Sequence, residues 1–176
     1  TGSGLARKSA VGFNVKEYGF VALGSGIAEY FQDVWLYNDT TKAWTQMADF
    51  GGTPRREAVA FSVDSLAYVG SGLDADGVTN DFWSFNPWSN SWNPIAALPG
   101  AARREAVGFT MGGRGYFGTG KGDSGALDDF WEYNPSTDTW TQKADFPGTP
   151  RSGACGTGAF PSAFIMLGED NTLTYK

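Results

Sequence analysis

Apolar and polar positions along this chain alternate in short stretches with a period of two, and no stretch sustains the period of a helix. In one such stretch Val59, Phe61 and Val63 point one way while Ala58, Ala60 and Ser62 point the other. The pattern predicts a first strand with one bulky face and one small face. Leu66 to Gly70 predicts a second strand, ended by Gly70-Ser71-Gly72. Phe82 to Phe85 predicts a third, with Trp83 and Phe85 on one side and Phe82 on the other. Asn86-Pro87 breaks it, because proline cannot donate to a central ladder. Trp92 and the residues after it predict a fourth strand, closed by Leu98-Pro99-Gly100. Four short strands in roughly 50 residues make one propeller blade.

The same pattern recurs with a period of 48 residues. An arginine opens each unit, at Arg7, Arg55, Arg103 and Arg151. A first tryptophan returns at Trp35, Trp83 and Trp131, and a second at Trp44, Trp92 and Trp140. Asp33, Asp81 and Asp129 precede the first tryptophan by two places. The units run 7–54, 55–102 and 103–150, with a partial one at 151–176. Such units cannot bury their apolar faces alone, so function is expected on a surface made by several of them. Ala10, Gly12, Ala58, Ala60, Ala106 and Gly108 suit the crowded innermost strand. The six repeated tryptophans suit the wedge between blades, where large flat rings exclude water. Trp88 replaces Thr40 and Ser136 of the other units, so the blade does not require it, and it is the candidate for stacking a sugar.

In order, each unit has an arginine, an apolar strand, an aromatic strand ending in glycines, an aromatic-Tyr-Asn-Pro segment and a late tryptophan. This order resembles kelch repeats over nearly the whole chain. The resemblance implies an all-β fold, a β-propeller segment of four-stranded antiparallel blades. The usual adjacent double glycine is spaced here, as Gly70-Ser71-Gly72 and Gly118-Thr119-Gly120. The first unit keeps only Gly24 in register and the fourth only Gly168. A kelch propeller usually closes with six or seven blades, and these three and a half leave an incomplete ring. The remaining blades are expected from the same longer chain or from other copies. The near-identical wording of the units resembles bacterial kelch proteins and favours a secreted or cell-surface location.

Charge and composition narrow the function. A net charge of −6 argues against a nucleic-acid surface, and no apolar run is long enough for membrane insertion as a helix. Cys155 stands alone where the other units have Val59 and Val107, which predicts a small buried hydrophobe rather than a disulfide. The chain has no histidine. That removes the commonest general base and the commonest zinc ligand. Asp74-Ala75-Asp76-Gly77 has the start of a calcium loop but no glutamate to close it, and reads as a solvated turn. Neither a cofactor nor a metal is expected.

An antiparallel blade brings the segment before its first strand to the same end as the segment between its second and third strands. The arginine openings and residues 25–32, 73–80 and 121–127 therefore share one face, where function is expected on variable loops. Arg7, Arg55, Arg56, Arg103, Arg104 and Arg151, with Trp88, are the candidate ligand-binding residues. Two readings stand for the arginines. They pair with Glu57, Glu105 or backbone carbonyls as a structural ring, or they stay open and bind carboxylates in bidentate fashion. In kelch regulators of the ubiquitin system, arginines at this opening position line a pocket for acidic peptides, so the resemblance favours such a ligand. The expected function is a non-catalytic module that recognises a protein or a glycan. The alternative is part of a carbohydrate-active enzyme, of lyase, epimerase or hydrolase type, with catalytic carboxylates partly in other blades.

Overall fold

A computed structural model describes residues 6–170. Sixteen strands and no helix occur among them. The first blade is β1 (Val11–Val15), β2 (Tyr18–Ala22), β3 (Val34–Asn38) and β4 (Ala43–Met47). The second is β5 (Val59–Val63), β6 (Leu66–Gly70), β7 (Phe82–Asn86) and β8 (Ser91–Ile95). The third is β9 (Val107–Met111), β10 (Arg114–Gly118), β13 (Phe130–Asn134) and β14 (Thr139–Lys143). A two-residue hairpin, β11 (Lys121–Gly122) and β12 (Gly125–Ala126), is inserted in the loop of that third blade. A final hairpin joins β15 (Ser152–Ala159) to β16 (Ser162–Glu169). Within each blade the strands lie in chain order, each antiparallel to the next. The first strands β1, β5, β9 and β15 are successive neighbours on the inner side. The sheets do not close into a ring.

The spaced glycines have separate causes. Gly72 has a φ of +107° and its N–H donates to the Arg103 carbonyl of the next blade at 2.8 Å. A Cβ there would press on the Arg56 carbonyl, and Gly24, Gly120 and Gly168 repeat the conformation. Gly70 meets a different demand. It pairs with Phe82 across the ladder, and a Cβ would overlap that ring and the Asp81 carbonyl. The third blade repeats the pair as Gly118 and Phe130, while the first has Ala22 opposite Val34. Volume taken from one strand is returned on the other. The glycine that the first unit keeps is thus the one its backbone conformation requires.

The core lies between blades. Phe50, Phe82, Phe85, Phe117 and Tyr133 are fully buried there, with Val34, Val69 and Leu98. The second tryptophans bridge neighbouring units. Trp92 packs on Phe85 and Phe50, at 4.6 and 5.0 Å between ring centroids, and donates to the Ala48 carbonyl of the unit before. Trp140 likewise packs on Tyr133 and Phe82 and donates to Ala96. Trp44, at the matching place in the first blade, is exposed. Cys155, expected to be buried, is exposed too. Val59 and Val107 are covered at the same register because another blade packs over them, whereas no described residue does so for Cys155.

Candidate functional site

The opening arginine of each unit is the fixed point of the loop face. In the second blade the Arg55 guanidinium donates to Asp81 at 2.6 and 3.0 Å, to Thr79 Oγ1 at 2.8 Å and to the Thr53 carbonyl at 3.0 Å. It also lies over the Phe50 ring, 5.0 Å from its centre. Asp81 in turn accepts from Trp83 Nε1 at 2.9 Å. The third blade repeats the set with Arg103, Asp129 and Trp131, and the first with Arg7, Asp33 and Trp35. Each aspartate stands 26 residues after its arginine. Burial pushes these three carboxyls up, but the arginine hydrogen bonds and charge and the indole N–H outweigh it, so each is held below the ordinary range. The first tryptophans therefore orient a carboxylate, and the second set join blades.

Arg55 and Arg103 are 1% and 0% exposed, so nothing of either guanidinium faces solvent. Their carboxylate partners are Asp81 and Asp129, not Glu57 and Glu105. Arg151 repeats the contacts to backbone carbonyls, at Thr149 and Leu167, and lies over Phe146. The aspartate partner was missed in the sequence, although its constant spacing from the arginine was there to be read.

The second arginines behave differently. Glu57 sits between Arg56, at 3.4 Å, and Arg104 of the next blade, at 2.7 Å. Both arginine side chains keep about a quarter of their surface exposed. Burial lowers Arg104, but the Glu57 hydrogen bond leads and holds its proton more firmly than usual. Beneath this pair runs a chain of backbone bonds between blades. Glu57 N–H donates to the Ser9 carbonyl, Glu105 N–H to Glu57 and Gly153 N–H to Glu105, at 3.0, 3.1 and 2.9 Å. All four residues are in the left-handed region, with φ near +54° to +64°.

A cavity of about 280 Å³ opens beside Arg56, lined by Lys8, Ser25, Gly26, Glu29 and Tyr30 as well. Ser25 is 3% exposed and its hydroxyl has no partner, and Arg56 Nε is also buried without a hydrogen bond. Ile27, at the tip of the β2–β3 loop, is fully exposed over the same cavity. A neighbouring hollow over Tyr30, Thr53 and Pro54 is acidic, with Glu29, Asp74 and Asp76. Asp74 there caps its own turn, accepting from the N–H groups of Asp76 and Gly77 and from Thr53 Oγ1. No cluster fit to hold a metal occurs among the described residues.

Trp88 is not on this face. Asn86 Oδ1 accepts from the N–H groups of Trp88 and Ser89 and closes the β7–β8 turn, which lies at the opposite end of the strands. The structure thus gathers Lys8, Ser25 and Arg56 at one cavity, sets Arg104 beside it through Glu57, and separates Trp88 from all of them.

Residues 9–168 match the model of a family described as the KLHDC2/KLHL20/DRC7 kelch-repeats domain. A solved structure titled "Structure of YjhT" superimposes with a TM-score of 0.79 at 21% identity, over 94% of this chain and 59% of that one. The chain thus spans little more than half the length of that protein. No curated protein is significantly similar to it. No helix among the described residues is long and apolar enough to cross a membrane.

Proposed function

The chain belongs to the kelch-repeat family, whose propellers generally mediate protein interactions, and from that premise we propose a non-catalytic recognition module for a carboxylate-bearing segment of a partner protein. The site is the loop-face cavity between the first and second blades, with Lys8 and Arg56 as the cations. One observation carries the reading. The Ser25 hydroxyl is buried without a hydrogen-bond partner, and it borders a cavity lined by Lys8 and Arg56 with Glu29 as its acid. An unsatisfied buried hydroxyl is disfavoured, and an incoming carboxylate would satisfy it. Arg104 stands beside Arg56 through their shared Glu57, and Ile27 offers an apolar contact at the cavity. The opening arginines act through their clamp, by holding the loops that carry these groups.

The enzyme alternative gains little from the aspartates. Asp33, Asp81 and Asp129 each face an arginine and an indole N–H, which suits a permanent anion rather than a proton shuttle. A glycan in this cavity would have one ring among the described lining residues, Tyr30, to stack on.

Fluorescence anisotropy with a labelled hexaglutamate peptide at low salt tests the proposal. Binding should weaken at least about tenfold in Arg56→Glu and in Lys8→Glu, and fall with added salt. Ser25→Ala should weaken it less. Equal binding by a neutral glycine–serine peptide, or full affinity in both charge-reversed variants, would overturn the reading.

A further inference from the structure

Three departures of the chain from its own repeat meet on the hairpin side of the molecule. Lys16 stands where later units have Asp64, Gly112 and Phe160. Tyr18 stands where they have Leu66, Arg114 and Ser162, and Trp88 where the flanking units have Thr40 and Ser136. The rings of Tyr18 and Trp88 are 6.4 Å apart and nearly perpendicular, at 88°. The Lys16 ammonium stands 6.0 Å from the Trp88 ring centre. A cleft of about 200 Å³ lies between Tyr18 and Trp88, over Phe20, Leu36, Met47 and Pro87. Trp88 is 57% exposed, and Tyr18 is exposed as well.

The next blade junction is an internal control. Leu66, Tyr68, Ser84, Ile95, Pro135 and Ser136 occupy the matching places. Both exposed rings are gone there, while Pro135 keeps the turn. The blade therefore folds without the aromatic pair, and something other than folding accounts for it.

The walls of the cleft are apolar, so its occupant is apolar where it enters. The polar groups at the rim are donors, the Trp88 Nε1–H and the Tyr18 O–H, and neither bonds to another described residue. An apolar ligand with free acceptors along its length meets both conditions. We propose that this cleft binds a proline-rich segment of a partner protein in the polyproline II conformation. Such a segment has no internal hydrogen bonds, so its carbonyls are open to the two donors. Its proline rings fit between aromatic walls, and it is already extended, which lowers the entropy lost on binding. Lys16 at the rim attracts an acidic residue flanking the prolines. A sugar fits less well, because its hydroxyls need several converging polar groups and Phe20, Leu36, Met47 and Pro87 offer none. The cleft lies at the opposite end of the strands from the carboxylate cavity, and the two readings stand independently.

The test is anisotropy of a labelled decaproline peptide, the same peptide with one terminal glutamate, and a glycine–serine peptide of equal length. Both proline peptides should bind, the glutamate form more tightly, and the glycine–serine peptide should not. Trp88→Ser and Tyr18→Leu are the residues the chain itself uses at matching places. Each should weaken binding about tenfold without moving the melting temperature. Lys16→Asp should remove the preference for the glutamate form. Failure of decaproline to bind, or binding that survives Trp88→Ser, would overturn the proposal. Binding of cellohexaose in place of decaproline, lost in Trp88→Ser, would assign the cleft to a sugar and overturn it equally.

Discussion

Replacing Arg103 by alanine tests whether the opening arginines hold the blade together. The wild-type guanidinium bonds to both oxygens of Asp129 and to the carbonyls of Thr119 and Ala101, and it lies 5.4 Å from the Phe117 ring centre. Truncation leaves Asp129 charged with its main partner gone, and it leaves the buried Thr119 carbonyl short of a donor. Breaking one side of a buried pair costs roughly 3–5 kcal/mol. Here the lower end applies, about 3 kcal/mol, because the Asp129 side chain is 21% exposed and keeps the Trp131 N–H. For a chain of this length, about 3 kcal/mol corresponds to a drop of roughly 6–12 °C in melting temperature. Arg104→Ala is the matched control. Its side chain is 26% exposed and bonds to Glu57 alone, which predicts about 0–1 kcal/mol. The double variant Arg103→Met, Asp129→Ala should recover part of the loss, since no charge is then stranded. Thermal melts followed by tryptophan fluorescence separate these cases. An Arg103→Ala protein that melts within about 2 °C of wild type, or below which Arg104→Ala falls, would refute the clamp.

Other consequences follow from the same contacts. Gly70→Ala should destabilise by about 1–3 kcal/mol through overlap with Phe82 and the Asp81 carbonyl, and Phe82→Val, which opens a cavity by itself, should cost less in that background than in the wild type; urea midpoints of the double-mutant cycle check both. Asp33, Asp81 and Asp129 have depressed carboxyls, so their contribution is fully present above the unfolded aspartate value and is lost as pH falls through the folded one. Stability should therefore fall steeply below about pH 4, and less steeply in Asp81→Asn, when urea midpoints are compared across that range. Trp140→Phe should cost about 1–2 kcal/mol more than Trp44→Phe, because Trp140 is part-buried and donates to the Ala96 carbonyl of the preceding unit while Trp44 is exposed; paired melts measure the difference.

Much of the fold is determined locally and was legible in the sequence. Strand length, side-chain alternation and turn chemistry depend on residues within a few places of each other. A 48-residue repeat of those local signals leaves few architectures open. The family order of arginine, glycines and tryptophans names the architecture. Which end of the blade carries the arginine loops also follows from strand order alone.

The tertiary structure decided what the repeated residues do, because that depends on which atoms a neighbouring strand or blade brings near. Arg55 and Arg103 face an aspartate across the blade and are closed to solvent, while Arg56 and Arg104, one residue later, share Glu57 between neighbouring blades. Successive side chains of an extended segment point opposite ways, which separates these adjacent positions. The burial of Val107 and the exposure of Cys155 at one register depend on whether another blade packs over the strand. Trp88 meets Tyr18 and Lys16 only because two hairpin turns 70 residues apart converge between blades. Periodicity determines the frame that each unit can build alone; burial and contact belong to pairs of units, and only the packed chain sets them.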